Sequence, residues 1–148
     1  MSKIRITKEF RFEAAHALKG YDGPCSNIHG HSYMLSVTLS GVPVTDPSSP
    51  KLGMVMDFSD LKKIIRENII DQFDHALILP AGHKDLNLPV TNDVFSKVIY
   101  TDYQPTTENM LLDFVKRISS FLPSGIKLFS LRLRETSSSY AEWYLEDS

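Results

Sequence analysis

The chain has 148 residues, 42% of them hydrophobic and 23% charged, which suits one compact domain spanning residues 1–148. The formal net charge is -2, so the composition does not predict nucleic acid as a partner. We also expect no membrane partner and a cytoplasmic protein, because no apolar run approaches a membrane span and no signal-peptide pattern opens the chain.

Two strands with alternating apolar positions come first. In residues 4–16 the even positions are mostly apolar and end in His16. In residues 29–39 the odd positions are apolar after opening with His29 and His31. The stretch between them contains glycine and proline and suits a long hairpin turn. An antiparallel pair would therefore bring all three imidazoles onto one face at one end of the hairpin.

Three converging imidazoles predict a catalytic zinc site, because such a ligand set leaves a fourth coordination position open. A single buried histidine is more often a hydrogen-bonded core residue, but this explanation is weaker for three at strand spacing. Zinc is favoured over iron or copper because no carboxylate facial triad or thioether ligand accompanies the histidines, although other divalent metals stay open. The lone cysteine, Cys25, lies four residues before His29. It could act as a thiolate base or nucleophile, or close the site as a fourth ligand.

Two helices are predicted in the middle of the chain. The first has a cap at Asp57 or Ser59, followed by apolar residues at helical spacing over about four turns. The second begins at the capping pattern of residues 105–108 and ends before Pro123.

The remaining segments complete the predicted fold. Residues 127–135 and 140–145 alternate as two further strands, residues 52–56 could form a short strand, and residues 82–102 read as an irregular insertion. The order strand, strand, helix, helix, strand, strand predicts an α+β fold: a four-stranded antiparallel sheet with two helices packed on one face. Glu135 ends an apolar strand face, so its carboxylate should point inward and needs a donor.

Asp74 and His75 directly follow the first predicted helix. A neighbouring carboxylate can orient an imidazole and stabilise its charged form, which suits proton transfer. The same pair is equally compatible with a simple cap at the helix end. His83, in contrast, is expected to be solvated.

Six short motifs together resemble, in order, those of the 6-pyruvoyltetrahydropterin synthase and 6-carboxytetrahydropterin synthase family, and the resemblance covers nearly the whole chain. They are Phe12-x-Ala14-Ala15-His16, Cys25-x-x-x-His29-Gly30-His31, Asp57-Phe58, Asp74-His75, Pro105-Thr106-Thr107-Glu108-Asn109 and Arg134-Glu135-Thr136. The resemblance implies the tunnelling fold, in which sheets from several subunits join into a barrel. It also implies a homohexamer, built as a dimer of trimers, with active sites between subunits.

The resemblance further implies a role for each candidate residue. Cys25 would be the catalytic proton acceptor, and Asp74 with His75 would form its relay across a subunit interface. Glu135 would bind the pterin ring. The zinc ligands would be His16, His29 and His31, and further substrate contacts would come from Thr106, Thr107 and Glu108.

The spacing around the cysteine favours one reaction within the family. Three residues separate Cys25 from His29, as in the bacterial-type carboxy enzymes, whereas the pyruvoyl enzymes typically have five. This likeness implies a zinc-dependent lyase that converts 7,8-dihydroneopterin triphosphate to 6-carboxy-5,6,7,8-tetrahydropterin, acetaldehyde and triphosphate, a step in queuosine and other 7-deazapurine synthesis. The alternatives are triphosphate elimination by a 6-pyruvoyltetrahydropterin synthase, a non-catalytic pterin- or purine-binding metalloprotein, and a structural oligomer with vestigial chemistry. Residues 79–104 are longer than in compact family members, so we expect them to alter the pocket mouth or a subunit contact.

Overall fold

The computed structural model describes residues 1–86 and 93–148, without the side chains of residues 85 and 86. The strands are β1 (Ile4–His16), β2 (His29–Gly41), β3 (Ala76–Pro80), β4 (Val98–Thr101), β5 (Lys127–Thr136) and β6 (Ser139–Tyr144). The helices are α1 (Phe58–Ile65), a π-helical turn (Arg66–Ile70), α2 (Asp71–Phe73) and α3 (Thr107–Ser119). Single 3-10 turns occupy Pro24–Ser26, Ala81–Leu86, Asp93–Phe95 and Leu145–Asp147.

The strands form one mixed six-stranded sheet in the order β4-β3-β1-β2-β5-β6. The four predicted strands are present and pair antiparallel, but the predicted four-stranded antiparallel sheet is wrong, because β3 and β4 extend it in parallel beyond β1. β3 escaped the sequence pattern because four of its five residues are buried, so it reads as a continuous apolar run without alternation.

The hairpin register confirms the pairing expected from the sequence. His16 lies opposite His29, and Ala14 lies opposite His31. Because alternate residues of a strand share a face, the three histidines lie together on the face that also carries Phe12 and Tyr33.

That face packs against the helices and forms the core. The rings of Phe12 and Tyr33 stack with their centroids 4.9 Å apart, and Phe114 of α3 meets Phe12 edge to face. Each fully buried side chain of this size contributes roughly 1.5–3 kcal/mol relative to exposure. The core therefore supports the sheet directly beneath the histidines. Its other members include Leu35, Leu61, Ile65, Phe73, Met110 and Leu131.

Both helix starts confirm the predicted caps. The Asp57 side chain accepts a hydrogen bond from the backbone N–H of Ser59, and the Thr106 side chain accepts one from Asn109. The strand predicted at residues 52–56 is wrong, because this stretch folds as turns. The predicted insertion at 82–102 contains β4 and two of the 3-10 turns, and its residues 87–92 lie outside the described part of the chain. Within the described residues, no helix is long and apolar enough to cross a bilayer.

Candidate metal centre

Four potential metal ligands meet where β1 ends, β2 begins and β5 ends. The donor group consists of His16, His29, His31 and Glu135, and its ligand atoms all lie within 4.8 Å of one another. His16 is buried and the other three are partly buried, so the cluster is accessible from one side.

The spacing of the donor atoms fits one small divalent ion. Nε2 of His16 lies 3.0 Å from Nε2 of His29, and Nε2 of His31 lies 2.8 Å from Oε1 of Glu135. The same carboxylate oxygen is 3.9 Å from His16 Nε2. Ligands bonded to a tetrahedral zinc at about 2.0–2.1 Å are separated by roughly 3.3 Å, in the middle of this range.

The hydrogen bonds of the outer ring nitrogens fix two of the imidazoles as ligands. Nδ1 of His16 lies 2.7 Å from the carbonyl oxygen of Pro105, and Nδ1 of His29 lies 2.7 Å from that of Asn27. A carbonyl only accepts, so each Nδ1 carries the proton and each neutral ring keeps a lone pair on Nε2. The two neutral rings then face each other with lone pairs and no proton between them. A cation at this point removes the repulsion.

His31 supports the same conclusion. Its Nε2 is buried and has no hydrogen-bond partner among the described residues, although Glu135 Oε1 is close. The contact between His31 Nε2 and Glu135 Oε1 is short but does not have hydrogen-bond geometry. The Nε2 atom therefore lacks a hydrogen-bond partner within the described part of the chain. A buried polar atom without a partner is costly. The residues present therefore fit a metal ion such as zinc.

Burial keeps these rings in the neutral form that binds metals. Loss of solvation lowers the pKa of His16 below 6.5, and the neighbouring His29 and His31 lower it further, against the raising effects of the Pro105 carbonyl and Glu135. Burial likewise lowers the pKa of His31, with Glu135 opposing and His29 reinforcing the shift. His16 and His31 therefore need not lose a proton near neutral pH before they bind an ion.

Glu135 is held between the histidines and the start of α3. One carboxylate oxygen lies beside His31, and the other accepts a hydrogen bond from the Thr107 hydroxyl. Of the other predicted substrate contacts, Thr106 caps α3 and Glu108 is exposed in its first turn. The structure thus places Thr107 and Glu135 together, beside the metal centre.

Asp74 and His75 lie together at the turn between α2 and β3. Oδ2 of Asp74 is 3.0 Å from Nδ1 of His75, and Oδ1 accepts from the backbone N–H of Glu13 at 2.9 Å. Burial alone would raise the pKa of Asp74, but the Glu13 N–H, His75 and Lys97 hold it below its usual value. The His75 side chain is 77% exposed and, with His31, lines a cavity of about 480 Å³.

Cys25 is the predicted site residue that stands apart. It is half-buried on the 3-10 turn that follows Gly23, and its carbonyl accepts from Leu18. Among the described residues the donor group does not include it. Within one chain, therefore, the structure joins the three histidines with Glu135 and pairs Asp74 with His75, but it does not draw the thiol into the metal cluster.

The sequence did not reveal the residues that contact the clustered histidines through backbone groups or from a distant segment. Asn27 and Pro105 orient the ligands through carbonyl groups, which every residue possesses, so no side-chain pattern marks them. The ring of Tyr33 lies beside His16 and His31, and burial raises its pKa above the usual range, which keeps its hydroxyl neutral. Its apolar strand position signalled only a core residue.

The fold and the donor group together define an α+β protein with a histidine-rich group at one end of its sheet that could hold a metal ion. The sequence model described as 6-pyruvoyl tetrahydropterin synthase matches residues 5–146. The chain therefore belongs to the 6-pyruvoyl tetrahydropterin synthase family.

The relatives of this chain are named for different activities. The chain is 36% identical over 142 residues to a 6-carboxy-5,6,7,8-tetrahydropterin synthase of Haemophilus influenzae, covering 95% of this chain and 98% of the relative. It is 33% identical over 133 residues to a dihydroneopterin monophosphate aldolase of Pyrococcus furiosus, covering 90% of each. The structure of 6-pyruvoyl tetrahydropterin synthase from Caenorhabditis elegans superposes with a TM-score of 0.68 at 27% identity, covering 97% of this chain and 96% of that one. The names support a pterin synthase.

Proposed function

We propose that the protein is a zinc-dependent lyase that converts 7,8-dihydroneopterin triphosphate and water to 6-carboxy-5,6,7,8-tetrahydropterin, acetaldehyde and triphosphate. The observation that carries the proposal is the convergence of three imidazole Nε2 atoms beside a carboxylate in a chain of this family. The name of the Haemophilus relative and the three-residue spacing after Cys25 favour the carboxy product.

Each group has a task that its surroundings support. When bound, zinc supplies a Lewis acid that polarises oxygens of the substrate side chain and makes the adjacent protons easier to remove. Cys25 takes up such a proton, because a cysteine side chain can act as a general base. Asp74 holds the Nδ1 proton of His75, so that Nε2 is free to exchange a proton with the substrate.

Glu135 selects the pterin ring. Its two carboxylate oxygens lie in one plane and match the paired amino and ring N–H donors of a pterin. The hydrogen bond from Thr107 fixes one edge of the carboxylate, so the group is already oriented when the ring arrives. Thr106 and Glu108 stay proposed contacts from the same helix start.

We further propose that Cys25 and the Asp74–His75 pair of each site come from different subunits of a cytoplasmic homohexamer, a dimer of trimers. The backbone of His75 bonds to Glu13 of its own chain, and three residue steps along β1, or roughly 10 Å, separate Glu13 from the proposed ligand His16. The largely exposed His75 side chain can therefore serve a neighbouring molecule.

Product analysis tests the reaction. The zinc-loaded protein is incubated with dihydroneopterin triphosphate, and the pterin and any acetaldehyde are identified by mass spectrometry. We expect 6-carboxytetrahydropterin and acetaldehyde in equal amounts. A 6-pyruvoyl product would instead establish the second candidate, which the family description and the Caenorhabditis structure favour. Unchanged substrate bound to fully metallated protein would indicate a pterin-binding module.

A further inference from the structure

The turn that carries the Asp74–His75 pair has an unfavourable backbone conformation. His75 has a φ of 59°, in the left-handed region that residues other than glycine seldom adopt. Two bonds dock the turn on one residue of β1: the His75 N–H donates to the Glu13 carbonyl at 2.5 Å, and Asp74 Oδ1 accepts from the Glu13 N–H. The orientation of the pair therefore depends on whatever else holds this turn in place.

Lys97 supplies a second anchor from a distant part of the chain. Its ammonium group donates to the carbonyl oxygens of Asp71 at 2.7 Å and Asp74 at 2.6 Å. These carbonyls belong to the last helical turn and the C-cap of the unbroken helical segment 58–73, where backbone acceptors lack intrahelical partners and a positive charge is favourable. Lys97 is itself fixed, because its own carbonyl accepts from Leu77 of β3.

This arrangement differs from that of an ordinary surface lysine. The Lys97 side chain bonds to the carbonyl groups at both ends of the stretch 71–74. Lys97 also lines the 480 Å³ cavity that His75 and His31 line. Its positive charge also favours the ionised Asp74 carboxylate. Lys97 comes from the 79–104 segment, for which the sequence indicated only an effect on the pocket mouth or a subunit contact.

We propose that Lys97 is a positioning residue for the Asp74–His75 pair: by bonding the carbonyl oxygens of Asp71 and Asp74 it holds the strained turn that aims the His75 ring. The proposal rests on the proposed function, in which this pair exchanges a proton with the substrate. The proposal gives the 79–104 segment a task in catalysis. The pairing of β4 with β3 places Lys97, the residue just before β4, near the end of the helix.

The test compares Lys97→Met, which keeps the length of the side chain but removes its donors, with Lys97→Arg, which keeps charge and donors. Lys84→Met, an exposed lysine of the same segment, is the matched control. In Lys97→Met we expect kcat to fall about 10- to 100-fold, as for a slightly misplaced catalytic group, with KM and bound zinc unchanged. Lys97→Arg should recover most of the loss, and Lys84→Met should match the wild type.

A spectroscopic readout separates this proposal from the proposed function. With histidine labelled at Cε1, the ring signal of His75 should shift in Lys97→Met while the signals of the three zinc ligands stay in place. This result is expected even if the true substrate is another pterin. An unmoved His75 signal, an unchanged kcat, or a loss of kcat that only parallels loss of zinc and of thermal stability would overturn the role of Lys97.

Discussion

At the scale of single residues, the candidate metal centre depends on the hydrogen-bond partners of the Nδ1 atoms, which lie on the side of each ring away from the cluster. The Pro105 carbonyl fixes the proton of His16 on Nδ1, and the Asn27 carbonyl does the same for His29. Each bond leaves Nε2 as a lone pair aimed into the cluster, so the protein prepares its ligands before an ion arrives. Glu135 adds a carboxylate at the same point, which increases the attraction for a cation.

Removing one imidazole should abolish stable metal binding. In His31→Ala we expect bound zinc well below one per chain, because only two of the three imidazoles remain to hold the ion. Elemental analysis after dialysis measures the occupancy. His83→Ala removes a histidine outside the donor group and should keep the wild-type zinc content. Full occupancy in His31→Ala would contradict the assignment of this ligand.

Cys25 should be needed for turnover and not for metal. Because the thiol is outside the donor group, Cys25→Ala is expected to retain zinc and to lose activity by at least about 100-fold, the usual contribution of a general base. Zinc content and product formation are measured on the same preparation. Loss of zinc in this variant would assign the thiol as a fourth ligand and favour a closed structural site.

Asp74 should contribute to stability in a pH-dependent way. Its pKa is lower in the folded protein than in the unfolded chain, so the unfolded chain binds the proton more tightly. The contribution is therefore present above the unfolded value of about 3.9 and is lost as the pH falls through the folded value. Urea unfolding of metal-free protein between about pH 5 and pH 3 measures it. In Asp74→Asn the free energy of unfolding should fall less steeply with decreasing pH than in the wild type. Equal slopes in the two proteins would contradict the lowered pKa of Asp74.

At the scale of elements, the sequence predicts what local periodicity encodes and misses what depends on distant pairing. Alternation revealed β1, β2, β5 and β6, and the polar caps revealed the helix starts at Asp57 and Thr106. The same alternation predicted that three histidines share one face and that Glu135 points inward, but not that all four side chains meet. β3 and β4 are short, and the long connection between them lets them pair in parallel. No local sequence pattern therefore predicts them. The Lys97 contact follows from that pairing and was equally hidden.

The cap of α3 offers a test at this scale. Thr106→Ala removes the acceptor for the Asn109 N–H and should lower the free energy of unfolding by about 1 kcal/mol. Ser119→Ala, at the exposed C-terminal end of the same helix, should change it by less than about 0.5 kcal/mol. Chemical denaturation of the two variants in parallel gives the comparison. Equal effects would mean that Thr106 does not act as a cap.

At the scale of the whole molecule, the two ends of the sheet and the location of the relay point to assembly. Within the described residues, β4 and β6 each pair with a single strand, so each has a free edge that another chain can extend. Asp74 and His75 lie beside Glu13 of β1, before the clustered histidine of that strand, whereas Cys25 lies in the turn that joins β1 to β2. The proposed division of each site between two chains therefore needs a direct test.

Mixed oligomers provide the decisive measurement. Cys25→Ala and His75→Ala should each be inactive alone, but subunits carrying the two changes, co-expressed with different affinity tags and purified through both, should regain activity. If a site takes Cys25 from one subunit and His75 from its neighbour, random mixing leaves about a quarter of the sites intact. Cys25→Ala mixed with His31→Ala is the matched control, because both residues belong to one subunit's share of the site and no intact site can form. No recovery in the test pair would place the relay within a single chain, and recovery in the control would mean that Cys25 and His31 of one site come from different subunits.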